Sequence, residues 1–196
     1  MRSRAAVAIL AGAGFEKVFN MQGGIRAWEG LVAEGPPESG MAYFGDVVRT
    51  PDLAMLAWML EDGSRLFYER MDESLGDDDA KQLFQSLAKA EVSHEKTVAE
   101  LYRIFSGGRA VEDDLPSDRG DIMEGGIKVE EALRWAKGKD VEAILEFAIS
   151  LETNAYDLYL KMERRLEGDA KKIFLLLAEE EKKHLERLAG LIEKKV

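Results

Sequence analysis

The chain has two histidines and no cysteine, and a glutamate stands three positions before each histidine: Glu91 before His94 and Glu181 before His184. Residues three apart on an α-helix project from one face, so each pair can present a carboxylate and an imidazole to the same point. Ahead of each pair lies a Leu-Glu step with a tyrosine seven residues after the glutamate, giving Glu61 with Tyr68 and Glu152 with Tyr159. The skeleton is therefore an internal repeat with an offset of 90 or 91 residues. Four carboxylates and two imidazoles without a thiolate form a donor set that suits iron or manganese, whose coordination spheres keep room for water, peroxide or dioxygen. Two metal ions, most simply iron, are expected on Glu61, Glu91, His94, Glu152, Glu181 and His184. Manganese is the alternative on the same donors, and zinc is an ion that purification can introduce.

A plainer reading competes with this one, because Glu-x-x-His also arises by chance on acidic helices. Both histidines comply, and each hairpin adds a matched Leu-Glu, which favours the metal reading. Two roles fit Tyr68 and Tyr159, two helical turns beyond Glu61 and Glu152. One is core packing; the other is a hydrogen bond from each hydroxyl that fixes the orientation of a ligand carboxylate. Trp58, Trp135 and the methionines are expected as core filler.

Helices must hold these residues at one height. Thr50-Pro51 reads as an N-cap followed by proline at the first helical position, and apolar residues recur at Leu53, Leu56, Leu60, Phe67 and Met71. Gly76 and the run Asp77-Asp78-Asp79 end that helix and begin a second, which continues through Leu83, Phe84, Leu87, Val98 and Leu101 to Gly107-Gly108. A mixed Gly- and Asp-rich stretch over 107–127 precedes a short helix over 128–137. Asp140 opens a third long helix to about residue 166, and a turn at Glu167-Gly168-Asp169 leads into a fourth. Gly76 is 15 residues from Glu61 and 15 from Glu91, so antiparallel packing brings the lone glutamate level with its Glu-x-x-His partner. The second hairpin repeats the arrangement about Gly168. The expected fold is all-α, a four-helix bundle of two hairpins joined by one long crossover.

Composition sets the outer limits. At 196 residues the chain has room for one main domain of about 150 residues and a smaller appendage. The formal net charge is −11, and the acidic surplus lies wholly in residues 45–196. Such a surface repels phosphate backbones, and no basic stripe interleaved with aromatics is present, so nucleic acid is not an expected partner. Without cysteine there is no disulfide, thiolate zinc site or iron–sulfur cluster. The opening residues are too Ala- and Gly-rich for a secretory signal, and no segment reaches the roughly 18 apolar residues of a membrane span. The cytoplasm is the expected location. Residues 1–30 read as a helix over 3–13, a strand over 17–21, a Gly23-Gly24 turn and a small helix near Trp28, a small α/β fragment. A linker rich in Gly and Pro follows, placed over 31–49 ahead of the bundle at 50–196.

The Glu, Glu-x-x-His, Glu, Glu-x-x-His pattern, with the phrases EDGSRLFYE, ETNAYDLYLKM and AEEEKKHLERL, resembles the rubrerythrin-like branch of the ferritin-like superfamily. The resemblance covers about residues 50–196. It implies a di-iron oxidoreductase that reduces hydrogen peroxide or dioxygen, a role tied to oxidative stress. Two departures stand out. Rubrerythrins carry a further glutamate three residues after the third-helix ligand, where this chain has Ala155. They also usually bear a four-cysteine rubredoxin-type domain, so electrons are expected here from an external donor. Ferrous iron oxidation or iron handling is the alternative function, and a non-catalytic metal-binding bundle a third; a homodimer is the expected assembly. Residues 1–30 resemble the C-terminal end of a rhodanese domain through Arg2-Ser3-Arg4-Ala5-Ala6, Ala13-Gly14-Phe15, Val18-Phe19-Asn20 and Gly23-Gly24-Ile25-Arg26-Ala27-Trp28. In that family the catalytic cysteine loop ends at about this Arg-Ser, so sulfurtransferase activity is not expected. The fragment lacks the rest of its sheet, and residues 1–44 are expected to be disordered, to repack on the bundle or to pair with another subunit.

Overall fold

A computed structural model describes residues 49–116 and 121–195. The α/β fragment expected over 1–30, and the linker except Arg49, lie outside the described residues.

Helix α1, Thr50–Ser74, buries the stripe foreseen for it, with Leu53, Leu56, Leu60, Phe67 and Met71 all at 3% exposure or less. Its N-cap is Arg49 rather than Thr50. The reason is Asp52, whose carboxylate accepts the Arg49 backbone N–H at 3.1 Å and also pairs with the guanidinium, fixing the helix start one residue earlier. Helix α2, Asp78–Phe105, is capped by Asp77, whose side chain accepts from the Ala80 N–H at 2.9 Å. Asp140 caps α4, Val141–Arg165, in the same way through Ala143, and α5 runs Gly168–Lys195. Lys195 reaches Asp77 at 2.6 Å and Arg187 reaches Ser86, so α2 and α5 lie side by side and antiparallel.

The stretch between the hairpins has more structure than its composition suggests. Strands β1, Ile122–Met123, and β2, Ile127–Lys128, pair antiparallel with Ile122 opposite Lys128 and Met123 opposite Ile127. Helix α3, Val129–Ala136, follows directly and lies against α1.

Two apolar cores fill the bundle. One joins the first half of α1 (Leu53 to Leu60), the second half of α2, Ile122, the second half of α4 and the first half of α5. The other joins Phe67, Tyr68 and Met71 to the first half of α2, Met123, α3, the first half of α4 and Leu188 and Leu191 of α5. Each fully buried Leu or Phe contributes about 1.5–3 kcal/mol. Between the cores runs a buried polar layer: Glu61, Ser64, Glu91, His94, Glu124, Glu152, Asn154, Glu181 and His184. Among the described residues no helix is long and apolar enough to cross a membrane.

Candidate metal centre

The hairpin geometry brings all six sequence-predicted residues together, each at 5% exposure or less. His94 Nδ1 lies 3.2 Å from Glu61 Oε2, 3.0 Å from Glu91 Oε2 and 3.1 Å from Glu181 Oε1. On the other side His184 Nδ1 lies 3.2 Å from Glu152 Oε2, 3.1 Å from Glu181 Oε2 and 3.8 Å from Glu91 Oε1. The two imidazoles stack with centroids 5.4 Å apart.

The donors divide into two groups, each with its ligand atoms within 4.8 Å of one another: Glu61, Glu91, His94 and Glu181, and Glu91, Glu152, Glu181 and His184. Glu91 and Glu181, the glutamates of the two Glu-x-x-His pairs, belong to both. Glu61 with His94 closes one end, and Glu152 with His184 closes the other.

Tyr68 and Tyr159 are buried as core residues, and they also hydrogen-bond the centre, each across to the opposite hairpin. The Tyr68 hydroxyl donates to Glu152 and the Tyr159 hydroxyl to Glu61. Each tyrosine therefore serves the lone glutamate of the hairpin it does not belong to, a pairing that spacing along one helix could not reveal.

Charge in this layer is unequal. Burial pushes Glu61 up, but the charge of His94 and hydrogen bonds from Glu91, His94 and Tyr159 outweigh it and leave the carboxyl below its usual range. Glu152 is likewise brought down to about 2: burial opposes this, and hydrogen bonds from Glu181, His184 and Tyr68 with the charge of His184 prevail. Glu91 and Glu181 move the other way, well above the usual range, through burial first and then the charge and hydrogen bond of Glu61 and Glu152 respectively. Both histidines are raised: burial works against their charge, and the surrounding carboxylates overcome it. Without metal, then, Glu91 and Glu181 hold their protons more tightly than ordinary glutamates, Glu61 and Glu152 less tightly, and both imidazoles favour the cationic form.

Three buried oxygens of the layer accept no well-formed hydrogen bond, Asn154 Oδ1, Glu91 Oε2 and Glu181 Oε1, and the last two share a single near neighbour, His94 Nδ1, at 3.0 and 3.1 Å. The two glutamate oxygens belong to the two shared residues. One imidazole nitrogen cannot satisfy two buried carboxylate oxygens, and leaving such an oxygen short of a partner is costly; a pair of cations would use both. The donor set thus fits two adjacent divalent ions: four carboxylate charges match two double charges, and the imidazoles complete each end.

Sequence reasoning missed three members of the layer. Glu124, at 3% exposure, comes from the β1–β2 turn and accepts a hydrogen bond from Ser64. Asn154 is buried beside that turn. No periodicity marks Glu124; its only local signal is the Gly125-Gly126 that follows it.

Two helical hairpins around a buried layer of glutamates and histidines form a four-helix bundle of ferritin-like fold. Residues 143–195, which are α4 with α5 and hold Glu152, Glu181 and His184, match the rubrerythrin family model. The match supports a ferritin-like protein of the di-iron kind. The first hairpin repeats the skeleton outside the matched residues. A hypothetical protein from Pyrococcus furiosus has a similar structure, with a TM-score of 0.60 and 24% identity over 81% of this chain and 94% of that one. That likeness establishes the fold alone. None of the curated proteins matches the chain significantly.

Proposed function

We propose that the bundle is a di-iron oxidoreductase that reduces hydrogen peroxide or dioxygen with electrons from an external donor. The observation that carries the reading is the sharing of Glu91 and Glu181 between two four-residue groups, each with its own imidazole. Two neighbouring ions would be held in common by Glu91 and Glu181, and separately by Glu61 with His94 and by Glu152 with His184. Bound iron would supply reversible one-electron steps, two per pair. The chain's own residues do the rest. The tyrosine hydroxyls hold one oxygen of Glu61 and one of Glu152, aiming the other oxygens at the imidazole side. The two cores shut bulk water out on either side of the layer. With no cysteine in the chain, no thiolate iron relay stands within it, and reducing equivalents come from another protein or a small reductant.

A homodimer in the cytoplasm completes the proposal; Leu175 and Leu176, 44% and 56% exposed on α5, are apolar surface that such an assembly would cover.

Anaerobic loading with ferrous iron followed by peroxide tests the reading. Two irons per chain, rapid oxidation by peroxide and turnover under a supplied reductant are expected. Two bound irons that react with neither peroxide nor dioxygen would leave a non-catalytic metal bundle. Oxidation accompanied by accumulating ferric mineral would mean iron handling instead.

A further inference from the structure

The six-residue set leaves one buried acid of the polar layer unexplained. Glu124 is as buried as the six, yet it sits on a turn rather than a helix. Considerable structure is devoted to placing it there. Met123 to Gly126 form a β-turn closed by the Gly126 N–H bonding Met123 O at 2.9 Å, with Glu124 and Gly125 at its centre. Gly125 has φ +80°, which a turn of this kind reserves for glycine. A Cβ on Gly125 would also lie 2.7 Å from Asn154 Nδ2, so the turn is pressed against α4 two residues from Glu152.

On the other side the strand lies on α1. A Cβ on Gly63 would lie 2.0 Å from the Ile122 carbonyl oxygen, so backbone meets backbone beside Ser64. Ile122 is locked into one apolar core and Met123 into the other. Glu124 therefore enters the polar layer from the crossover, between α1 and α4, the helices that carry the two lone glutamates. It lies close enough to feel the charges of Glu61 and Glu152 and to act in turn on Tyr68 and Tyr159.

Among the described residues one side chain receives it. Ser64, one turn beyond Glu61 on the same face, donates a hydrogen bond to Glu124 Oε2. At the equivalent place in the second hairpin, three residues after Glu152, stands Ala155, also buried. Both positions are small, which leaves room beside the lone glutamates for a carboxylate brought from elsewhere. No cation pairs with Glu124 among the described residues, so ionising it there has no partner to offset the cost.

We propose that Glu124 is a further carboxylate donor of the metal centre, supplied by the crossover turn and held at the edge of the two four-residue groups by Ser64 until metal is present. The proposal rests on the di-metal reading above and adds a donor from a third structural unit to the two hairpins. With ions bound, the carboxylate exchanges its bond to the Ser64 hydroxyl for one to the ion on its side. Four glutamates balance two divalent ions, and a fifth offsets charge that oxidation of the pair would add.

Cobalt(II) titration of the metal-free protein, followed by visible absorption, tests this without reference to activity. Wild type is expected to bind two ions. Glu124→Gln keeps the size and can still accept from Ser64; it is expected to weaken at least one ion about tenfold or more and to change the cobalt absorption. Ser64→Ala removes the anchor but not the donor, and is expected to keep both ions and the wild-type spectrum. If E124Q binds two ions with unchanged affinity and spectrum, the proposal is overturned while the di-metal reading stands. If wild type itself binds no ions, the di-metal reading fails first. Should E124Q not fold, a crystal structure of cobalt-loaded wild type decides: the Glu124 carboxylate at bonding distance from an ion supports the proposal, and Glu124 still on Ser64 with both ions bound overturns it.

Discussion

Within the six-residue set the members are not equivalent, and the difference is measurable. Glu91 and Glu181 stand in both groups, whereas Glu61 and Glu152 stand in one each. Replacing Glu91 or Glu181 with alanine is expected to abolish binding of both ions, and replacing Glu61 or Glu152 to leave one ion bound, as read by metal analysis after gel filtration. Equal losses from all four would contradict the shared role. The crossed tyrosines give a second prediction. Tyr159→Phe removes the hydroxyl that Glu61 accepts from, and losing such a bond to a metal ligand typically lowers affinity about 10- to 100-fold. Because the bond crosses hairpins, Tyr159→Phe should add little in a Glu61→Ala background and its full effect in a Glu152→Ala background. Equal effects in the two backgrounds would show that the hydroxyl does not act through Glu61.

Among the elements, the crossover is where structure added most to the sequence. The four long helices were legible because their signals are local: Asp77 and Asp140 as caps, apolar residues at helical spacing, and the i, i+3 pairs that share a face. The equal distances from Gly76 to Glu61 and Glu91 sufficed to set the height of the site. The course of 107–127 rests instead on a contact between distant backbones, Gly63 against Ile122, which leaves no periodic trace. The same holds for which glutamate each tyrosine serves, since that depends on how the hairpins pack together. Gly63→Ala tests the contact directly. Its Cβ would overlap a backbone carbonyl, which cannot rotate away, so the strand or the helix must shift. A cost of about 1–3 kcal/mol is expected, a fall of roughly 2 to 12 °C in Tm for a domain of this size. The displacement should also move Glu124, so Gly63→Ala should shift the cobalt absorption in the direction of Glu124→Gln. A variant with unchanged Tm would place the crossover off α1.

For the molecule as a whole, the polar layer ties stability to pH with opposite signs in the two metal states. In the metal-free bundle Glu91, Glu181 and Glu124 keep their protons above the ordinary value of 4.5, and His94 and His184 above 6.5. Between about pH 5 and 8 the unfolded chain sheds protons that the folded chain retains. Stability therefore falls as pH rises, by up to about 1.4 kcal/mol per pH unit for each such group. The histidine contribution is fully present below 6.5 and is lost as pH climbs toward the raised folded values. Glu61 and Glu152, which are depressed, act below this window: their stabilisation is present above 4.5 and is lost only as pH drops through their folded values. Self-repulsion of a chain with net charge −11 adds to the downward slope. Two divalent ions displace the protons from Glu91, Glu181 and the imidazoles, so metal binding tightens as pH rises, and the loaded protein gains stability over the same interval. Melting curves from pH 5 to 8 in chelator and in excess divalent metal should thus diverge, Tm falling with pH in the first and rising in the second. A metal-free Tm that rose with pH would mean that the two shared glutamates, Glu91 and Glu181, are ionised in the folded chain, and that two positive charges from the histidines suffice to hold four buried negative ones.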